Sequence, residues 1–291
     1  MKLCVLGSGS GGNCAVVIGP GGSFLIDAGL SARQILSRLV EIGIAADSLL
    51  GVLLTHEHGD HTRGLDVLLR GPLAQVPVYC NPHTCAVVRP ALREDKCWRL
   101  IETGSAFFLA GLRVETFSVP HDAVDPIGFV LENPSSGSRF GILSDIGHAT
   151  TNVLARLRDL DGLFLEANYC PTRLANDAKR PWATKQRISS RHGHLSNDQA
   201  ADLVSAIASP RLRRLLLGHL SRECNCPATA TSVLASALTR LGFANIDIVC
   251  ATQDQPTALF AIAPELAFAA MASSRTDVSP AVAWQQPELF M

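Results

Sequence analysis

Residues 55–61 limit what this chain can fold into more than any other segment, because they place several metal-binding side chains at a strand end. The segment reads Thr-His-Glu-His-Gly-Asp-His and overlaps the nearly all-apolar run at residues 50–55, which predicts a short buried strand. Imidazoles and carboxylates are ligands that zinc, iron and manganese take in proteins. Along an extended turn the first two histidines fall on one side, whereas Asp60 and His61 lie where the chain bends into a helix and reach a second ion. The segment predicts a metal site, against the alternative of a surface charge cluster.

Three further ligand-type residues each follow an apolar run. His121 comes after Phe-Ser-Val-Pro, Asp145 after Phe-Gly-Ile-Leu-Ser, and His219 after Leu-Leu-Leu-Gly. Taken singly, each is more typical of an ordinary loop residue. Taken with the histidine segment, they predict a two-metal site, because a dry sheet holds ligands at its strand ends rigidly.

The composition bounds the class of protein. The chain has 291 residues, of which 47% are hydrophobic and 18% charged, so it can bury a large core and is not intrinsically disordered. The length fits one large α/β domain or two ordinary ones. A formal net charge of −1 excludes a uniformly basic coat for nucleic acid but allows a local basic face.

No segment indicates a membrane span or an export signal. No apolar run reaches the roughly 18 residues of a membrane helix, and Gly7 interrupts the N-terminal apolar stretch. The nine cysteines are an odd number and show no regular pairing pattern. We therefore expect reduced thiols in a cytoplasmic protein that contacts no membrane.

Short strands and helices alternate along the chain. Residues 7–12 read Gly-Ser-Gly-Ser-Gly-Gly, and the β-rich residues after them predict a strand-to-strand turn rather than a dinucleotide loop. Ser31 and Ser196 are predicted N-caps, and Gln199 completes a capping box with the second. Strands are expected near residues 2–7, 13–18, 23–26, 50–55, 76–80, 98–101, 106–109, 112–118, 127–132, 138–144, 161–166, 211–217, 246–250 and 257–262. Helices are expected near residues 31–43, 62–70, 83–93, 149–158, 196–208 and 227–241.

A basic segment occupies residues 173–191. Six basic side chains stand there against the single acid Asp177, a local net charge of +5, with Trp182 among them. Basic side chains beside a stacking ring suit a phosphate backbone, although a solvated loop is the alternative. The candidate contacts to substrate in this segment are Lys185, Arg187 and Arg191.

Together these motifs resemble the metallo-β-lactamase superfamily, in its hydrolase branch with seven protein ligands. Over residues 1–262 the chain is similar to the YycJ/WalJ-like group, which carries the same Thr-His-Glu-His-x-Asp-His turn. The other matching motifs lie at residues 7–13, 24–30, 121–123, 181–189, 193–197 and 218–221. Two pairs depart from the group without being among the seven ligands: Tyr169 and Cys170 replace His-Asp, and Cys224 and Asn225 replace paired asparagines.

The resemblance implies an α/β fold of the αββα sandwich type, in one domain over residues 1–263. It implies two divalent metal ions per chain, zinc or manganese, with iron as a further option. The implied ligands are His56, His58 and His121 for one ion, Asp60, His61 and His219 for the other, and Asp145 for both. Asp27 would accept hydrogen bonds that orient the ligand loop, with a plain turn aspartate as the alternative.

The resemblance also implies a phosphodiesterase, most of all a 5′-to-3′ exonuclease on DNA. The expected mechanism is attack on phosphorus by a hydroxide that bridges the metals, with Asp60 orienting it. His194 is the candidate for contacting the phosphate or protonating the leaving oxygen, against a structural role, and Asn168 and Ser221 are further candidates for binding substrate. The alternatives are a hydrolase of small thioesters, lactones or cyclic phosphodiesters, and a binding protein that has kept the fold.

The last residues give a separate prediction. From 264 to 291, Ala, Ser and Pro dominate without periodicity, which indicates a flexible tail outside the core. Residues 286–290 read Gln-Pro-Glu-Leu-Phe and resemble the peptide by which bacterial DNA enzymes dock on the sliding clamp. The clamp is therefore an expected partner beside nucleic acid, through Gln286, Leu289 and Phe290.

Overall fold

The structure is a computed structural model that describes residues 1–94 and 96–262. The predicted tail at 264–291, with Gln286, Leu289 and Phe290, lies outside the described residues. The strands are β1 (Lys2–Gly7), β2 (Cys14–Gly19), β3 (Gly22–Ile26), β4 (Leu49–Leu53), β5 (Val78–Cys80), β6 (Trp98–Leu100), β7 (Ala106–Leu109), β8 (Leu112–Ser118), β9 (Ile127–Asn133), β10 (Ser138–Leu143), β11 (Gly162–Glu166), β12 (Arg214–Gly218), β13 (Asp247–Cys250) and β14 (Phe260–Ala261). The helices are α1 (Ala32–Glu41), α2 (Gly59–Thr62), α3 (Leu65–Arg70), α4 (Pro82–Val88), α5 (Thr151–Arg156), α6 (Pro171–Asn176), α7 (Trp182–Ile188), α8 (Asn197–Ile207) and α9 (Pro227–Arg240).

Two seven-stranded sheets pack face to face. Their strand orders are β14-β1-β2-β3-β4-β5-β6 and β13-β12-β11-β10-β9-β8-β7. One apolar cluster lies between the sheets and contains Phe24 from the first, with Phe129 and Phe140 from the second. A second cluster joins the outer face of the first sheet to α1, α3 and α4, and a third joins the second sheet to α5, α8 and α9. The predicted αββα sandwich is confirmed.

Parallel pairing brings the ends of several strands to one edge. In the first sheet β3 and β4 are parallel, and in the second β10, β11, β12 and β13 are parallel. The carboxyl ends of parallel strands meet at the same edge, which is where ligands bind in many α/β proteins. The histidine segment follows β4 at this edge.

Local signals account for the longer helices. The Ser31 hydroxyl accepts a hydrogen bond from the Gln34 amide at the start of α1, and Ser196 does the same with Gln199 at the start of α8. In both helices the backbone amide of the cap serine in turn donates to the Gln side-chain oxygen, so each helix has a capping box. The predicted caps are confirmed, as is the turn at residues 7–12, which joins the antiparallel β1 and β2.

Some elements differ from the sequence prediction. The basic segment contains parts of two short helices, α6 and α7, each of which begins at or next to a proline. Proline favours the first turn of a helix, but helices this short show too little apolar periodicity to be recognised. The helix expected at 62–70 is split into α2 and α3, the strand expected at 211–217 begins at Arg214, and the last strand has only two residues. Within the described residues, no helix combines the length and apolarity needed to cross a bilayer.

Candidate metal centre

The candidate centre is built from residues that follow strand ends. Asp27 follows β3, Asp145 lies two residues after β10, and His219 follows β12. Their φ angles are 59°, 48° and 53°, in the left-handed region that favours glycine. Such a conformation costs a residue other than glycine roughly 1–3 kcal/mol. Of the five non-glycine residues with such angles in the described chain, these three thus belong to the candidate centre.

One group of side chains, the histidine cluster, consists of His56, His58 and His121. Their candidate ligand nitrogens lie within 4.8 Å of one another. His56 Nδ1 lies 3.0 Å from the Thr55 hydroxyl, and His121 Nδ1 lies 3.0 Å from the Gly193 carbonyl, so each ring is held through Nδ1. His121 Nε2 lies 3.4 Å from His58 Nδ1 and 3.2 Å from Asp122 Oδ1. Among the described residues, His56 Nε2 has no hydrogen-bond partner although it is buried. A cation at this point would satisfy it, so the donor set fits a metal ion.

A second group, the carboxylate cluster, consists of Asp60, His61, Asp145 and His219. The two Asp145 oxygens lie 2.9 Å from His61 Nε2 and 2.8 Å from His219 Nδ1. Asp60 Oδ2 lies 3.5 Å from His219 Nε2. Because the ligand atoms of His56, His61 and Asp145 also lie within 4.8 Å of one another, Asp145 connects the two clusters.

Charge in the centre favours bound cations. Burial lowers the pKa of His56 well below its usual value, so this imidazole is neutral, the form that binds metal. Burial also acts to lower the pKa of His61, but Asp145 and Asp27 outweigh it and raise that pKa to about 10. Burial similarly opposes ionisation of Asp145, whose pKa nevertheless lies well below normal because of His219 and His61. The negative field that holds protons on these imidazoles would equally attract divalent ions.

Asp27 orients the histidine segment through hydrogen bonds with its first and last residues. Its Oδ1 accepts a hydrogen bond of 2.8 Å from the Thr55 amide, and its Oδ2 lies 2.7 Å from His61 Nδ1. The Thr55 hydroxyl bonds the same carboxylate at 2.9 Å. Asp27 thus fixes the ring of His61 and leaves Nε2 directed at Asp145, which supports the orienting role expected for it.

Glu166 is a site residue that the sequence analysis missed. It is fully buried, and its Oε1 lies 2.6 Å from His194 Nδ1 and 3.2 Å from His219 Nδ1. Burial opposes protonation of His194, but Glu166 outweighs it and raises the His194 pKa. A signal was present, because Glu166 ends the apolar run Gly-Leu-Phe-Leu in the same way that the other candidates follow theirs.

The turn between β1 and β2 supports the segment that carries Asp60. The Asn13 amide donates 2.7 Å to the Asp60 carbonyl, and its side-chain amide lies 3.1 Å from His61 Nε2. A Cβ atom on Gly29 would lie 1.6 Å from the Asp60 carbonyl oxygen. Glycine at this position therefore permits the close approach of two backbone segments that positions Asp60.

A cavity of about 210 Å³, the metal cavity, opens above the two clusters. Of the expected substrate residues, His194, Asn168, Ser221 and Arg187 line it. Arg187 Nε is held 2.5 Å from Asp122 Oδ2. Arg180, which was not among the expected contacts, also lines the cavity.

The other expected contacts lie elsewhere on the basic segment. Lys185 Nζ donates 2.8 Å to the Ala175 carbonyl, and Arg191 Nη2 lies 3.0 Å from His148 Nε2. Tyr169, one of the two residues that replace His-Asp, is buried against Leu174. None of these side chains is among those lining the metal cavity in the described part of the chain.

Comparisons with known proteins agree on one family. Residues 23–220 match the family described as beta-lactamase superfamily domain. The exodeoxyribonuclease WalJ of Streptococcus pneumoniae (serotype 2, strain D39) is 32% identical over 243 residues, covering 81% of this chain and 88% of that protein. The exodeoxyribonuclease YycJ of Bacillus anthracis is 28% identical over 246 residues, covering 84% and 91%. The solved metallo-beta-lactamase fold protein YhfI from Bacillus subtilis shares the fold, with a TM-score of 0.65 at 15% identity over 88% of this chain and 98% of that one.

Proposed function

Because this chain belongs to the metallo-β-lactamase superfamily, in the YycJ/WalJ-like group of metal-dependent hydrolases, we propose that it is an exonuclease that degrades DNA from the 5′ end. The observation that carries the proposal is the joining of the histidine and carboxylate clusters beneath a cavity with two arginines in its wall. Relatives named exodeoxyribonuclease, which align over most of the chain, support DNA as the substrate.

In this proposal the two clusters hold two divalent ions. The ligands would be His56, His58 and His121 for one ion, Asp60, His61 and His219 for the other, and Asp145 for both. Zinc and manganese suit this mixture of imidazole and carboxylate, and iron is a third option. Such a pair of ions, when bound, lowers the pKa of a water toward neutrality and neutralises the charge that develops on a phosphate.

The chain's own residues then position water and move a proton. The Asp60 carboxylate, partly exposed at the floor of the metal cavity, would accept a hydrogen bond from the attacking water and orient it. Glu166 fixes His194 through Nδ1, which leaves Nε2 as the nitrogen available to the cavity. From there His194 would donate its proton to the leaving oxygen, a step that general acids accelerate about 10²–10⁴-fold.

Substrate binding would come from the cavity wall and the basic segment. Arg180 and Arg187 are both held by carboxylates, so their positions are fixed before a phosphate arrives. Trp182, at the start of α7, is 71% exposed and free to stack on a base. Asn168 and Ser221 would contact the bound phosphate or sugar, while Lys185 and Arg191 would reach phosphates farther along the strand.

Digestion of a 5′-labelled duplex by the purified protein, with manganese or zinc added, tests the proposal. We expect metal-dependent release of short 5′ products. Asp60→Ala should abolish it, and His194→Ala should reduce it about 10²-fold. His192→Ala is the matched control, since His192 is an exposed histidine two residues away that does not line the metal cavity.

No cleavage of duplex, single strand or RNA by protein that elemental analysis shows to contain metal would overturn the nuclease assignment. The small-molecule hydrolase would then be favoured. Equal activity of His194→Ala and His192→Ala would contradict only the proton-donor role of His194 and would leave the nuclease assignment in place.

A further inference from the structure

A second cavity, of about 310 Å³, lies beside the metal cavity. Three loops form its walls: the turn after β1, the segment between β12 and α9, and the residues after β13. Ser10 and Ser221 line both cavities. The two cavities therefore meet at these two serines, and a ligand bound over the metal clusters can extend across them into the second cavity.

The second cavity is lined by both apolar and polar side chains. Leu220, Pro227 and Ala251 contribute apolar surface, whereas the charged side chains of Arg222 and Asp254 in the same lining pair with each other at 2.5 Å. The Ser221 hydroxyl accepts a hydrogen bond from the Cys224 amide, so its own proton remains to be donated. Within the described residues, neither the amide nor the hydroxyl of Ser10 has a hydrogen-bond partner. Free hydroxyl groups thus stand at the junction, and the cavity beyond it offers apolar surface between side chains that are already paired.

The wall after β13 is held in place by a buried arginine. The Arg38 guanidinium donates 2.8 Å to the Asp254 carbonyl, 3.2 Å to the Gln253 carbonyl and 2.6 Å to the Leu6 carbonyl. The Gln253 side chain in turn accepts from the Gly11 amide and donates to the Gly12 carbonyl, at 2.8 and 2.7 Å. The cavity wall is therefore fixed to β1 and its turn, and the cavity exists before a ligand binds.

We propose that the second cavity binds one nucleoside of the substrate, namely the one joined to the phosphate over the metal clusters. This inference rests on the proposed function, because it takes the ligand of the metal cavity to be a phosphodiester. The hydroxyls of Ser10 and Ser221 contact the sugar, and the walls formed by Leu220, Pro227 and Ala251 cover the base. The volume lies at the lower end of the roughly 300–1,000 Å³ of ligand pockets, which suits one nucleoside rather than two.

The mode of base binding follows from the lining. No aromatic ring is among the described residues that line the second cavity, so the base is held by apolar burial rather than by stacking on a side chain. Burial of this kind tolerates all four bases. The cavity therefore requires the presence of a base but does not select its identity.

The test is a binding experiment that does not depend on cleavage. The probe is the 5′-monophosphate of 2-aminopurine deoxyriboside, followed by its fluorescence, and the competitor is deoxyribose 5-phosphate, which lacks a base. We expect the wild-type protein to bind the probe at least about tenfold more tightly than the competitor, because the base buries apolar surface that the competitor lacks. Because this comparison uses only the wild-type, full-length protein, its outcome does not depend on whether a variant folds.

Thr252→Trp should fill the cavity, because Thr252 is exposed in its wall. The substitution keeps the Thr252 carbonyl, which accepts from the Ser8 amide, and removes only two long hydroxyl contacts of 3.4 Å with the Gln255 backbone. We expect this variant to bind the probe about tenfold more weakly, because the base can no longer be buried, and the base-free competitor equally well. Asn245→Trp is the matched control. It places the same indole on an exposed residue before β13, at the other end of that strand, and should leave both affinities unchanged.

Equal binding of probe and competitor by the wild type, no binding of the probe, or equal effects of the two Trp variants would each overturn the proposal. A DNA cleavage assay on the same preparations separates it from the proposed function. Cleavage without base-dependent binding means that the exonuclease assignment stands and the nucleoside cavity is wrong. Base-dependent binding that Thr252→Trp weakens, without cleavage of any nucleic acid, means that the nucleoside cavity stands and the exonuclease assignment is wrong.

Discussion

Glu166 shares one buried negative charge between two imidazoles of the candidate centre. Its Oε1 faces His194 and His219, while its Oε2 accepts a 2.8 Å hydrogen bond from the Ile146 amide. Burial acts to raise the pKa of Glu166, but His194 outweighs it and lowers that pKa, so the side chain is ionised. A buried carboxylate with all these contacts fixes the direction of both rings.

Replacing Glu166 with Gln should slow cleavage without unfolding the protein. The amide keeps the shape of the carboxylate but cannot stabilise a protonated His194, so we expect a loss of about 10²-fold in the single-turnover rate. Metal content and melting temperature should stay close to wild type. Glu132→Gln is the matched control, because Glu132 on β9 lies opposite Arg139, at the end of β10 that is farther from the candidate centre. Equal rates for the two variants would contradict the role of Glu166.

Gly29 gives a prediction about stability. Its missing side chain lets the Asp60 carbonyl approach, and the space is bounded by backbone atoms that cannot rotate away. We expect Gly29→Ala to lower the free energy of unfolding by about 3 kcal/mol or more, measured by urea denaturation of metal-free protein. Gly59→Ala should change it by no more than about 1 kcal/mol, because nothing lies within 4 Å of a Cβ at Gly59. A small effect at Gly29 would mean that the backbone there can shift freely.

At the scale of elements, local signals made much of the fold and site predictable. The cap of α1 is predicted from Ser31, the cap of α8 from Ser196 with Gln199 three residues on, and the strands from runs of apolar residues. The rule that a polar residue ending an apolar run belongs to the site brings Asp145 and His219 into one cluster. Applied to β11, the same rule would have included Glu166.

Other parts of the site depend on contacts between distant segments and could not be predicted. Of the two arginines that line the metal cavity, only Arg187 was predicted from the sequence. Arg180 lies between α6 and α7, and neither helix has enough apolar periodicity to be recognised, so its place at the cavity could not be predicted. Asp27 and Asp145 adopt left-handed conformations, which aspartate tolerates better than most residues but which no local sequence signal at these positions predicts. The second cavity likewise arises from three loops that are far apart in sequence.

Substitution of the N-cap serines of α1 and α8 tests whether α8 supports the candidate site. Ser196→Ala and Ser31→Ala each remove one N-cap hydrogen bond, so each should lower stability by about 1 kcal/mol in a denaturant titration. Ser196, unlike Ser31, lies two residues from His194 and forms an isolated β-bridge with Tyr169. We therefore expect only Ser196→Ala to reduce the cleavage rate. If both variants reduced it to the same extent, the effect would reflect stability alone.

At the scale of the whole molecule, the candidate centre joins the two sheets. His56, His58, Asp60 and His61 follow β4 of the first sheet, whereas Asp145 and His219 follow β10 and β12 of the second. Asp145 of the second sheet contacts His61 of the first sheet at 2.9 Å and His219 of its own sheet at 2.8 Å. We therefore expect an ion bound to residues of both sheets to stabilise the complete sandwich.

Removal of metal with a chelator should lower the melting temperature of the whole chain in a single transition. An ion at 100 times its dissociation constant contributes about 2.7 kcal/mol, which corresponds to roughly 5–10 °C for a domain of this size. Returning zinc or manganese should restore the higher value in calorimetry. Asp145→Asn should abolish the difference between the two forms, since Asp145 contacts both clusters. An unchanged melting temperature after elemental analysis has shown loss of the metal would mean that the ions do not link the sheets.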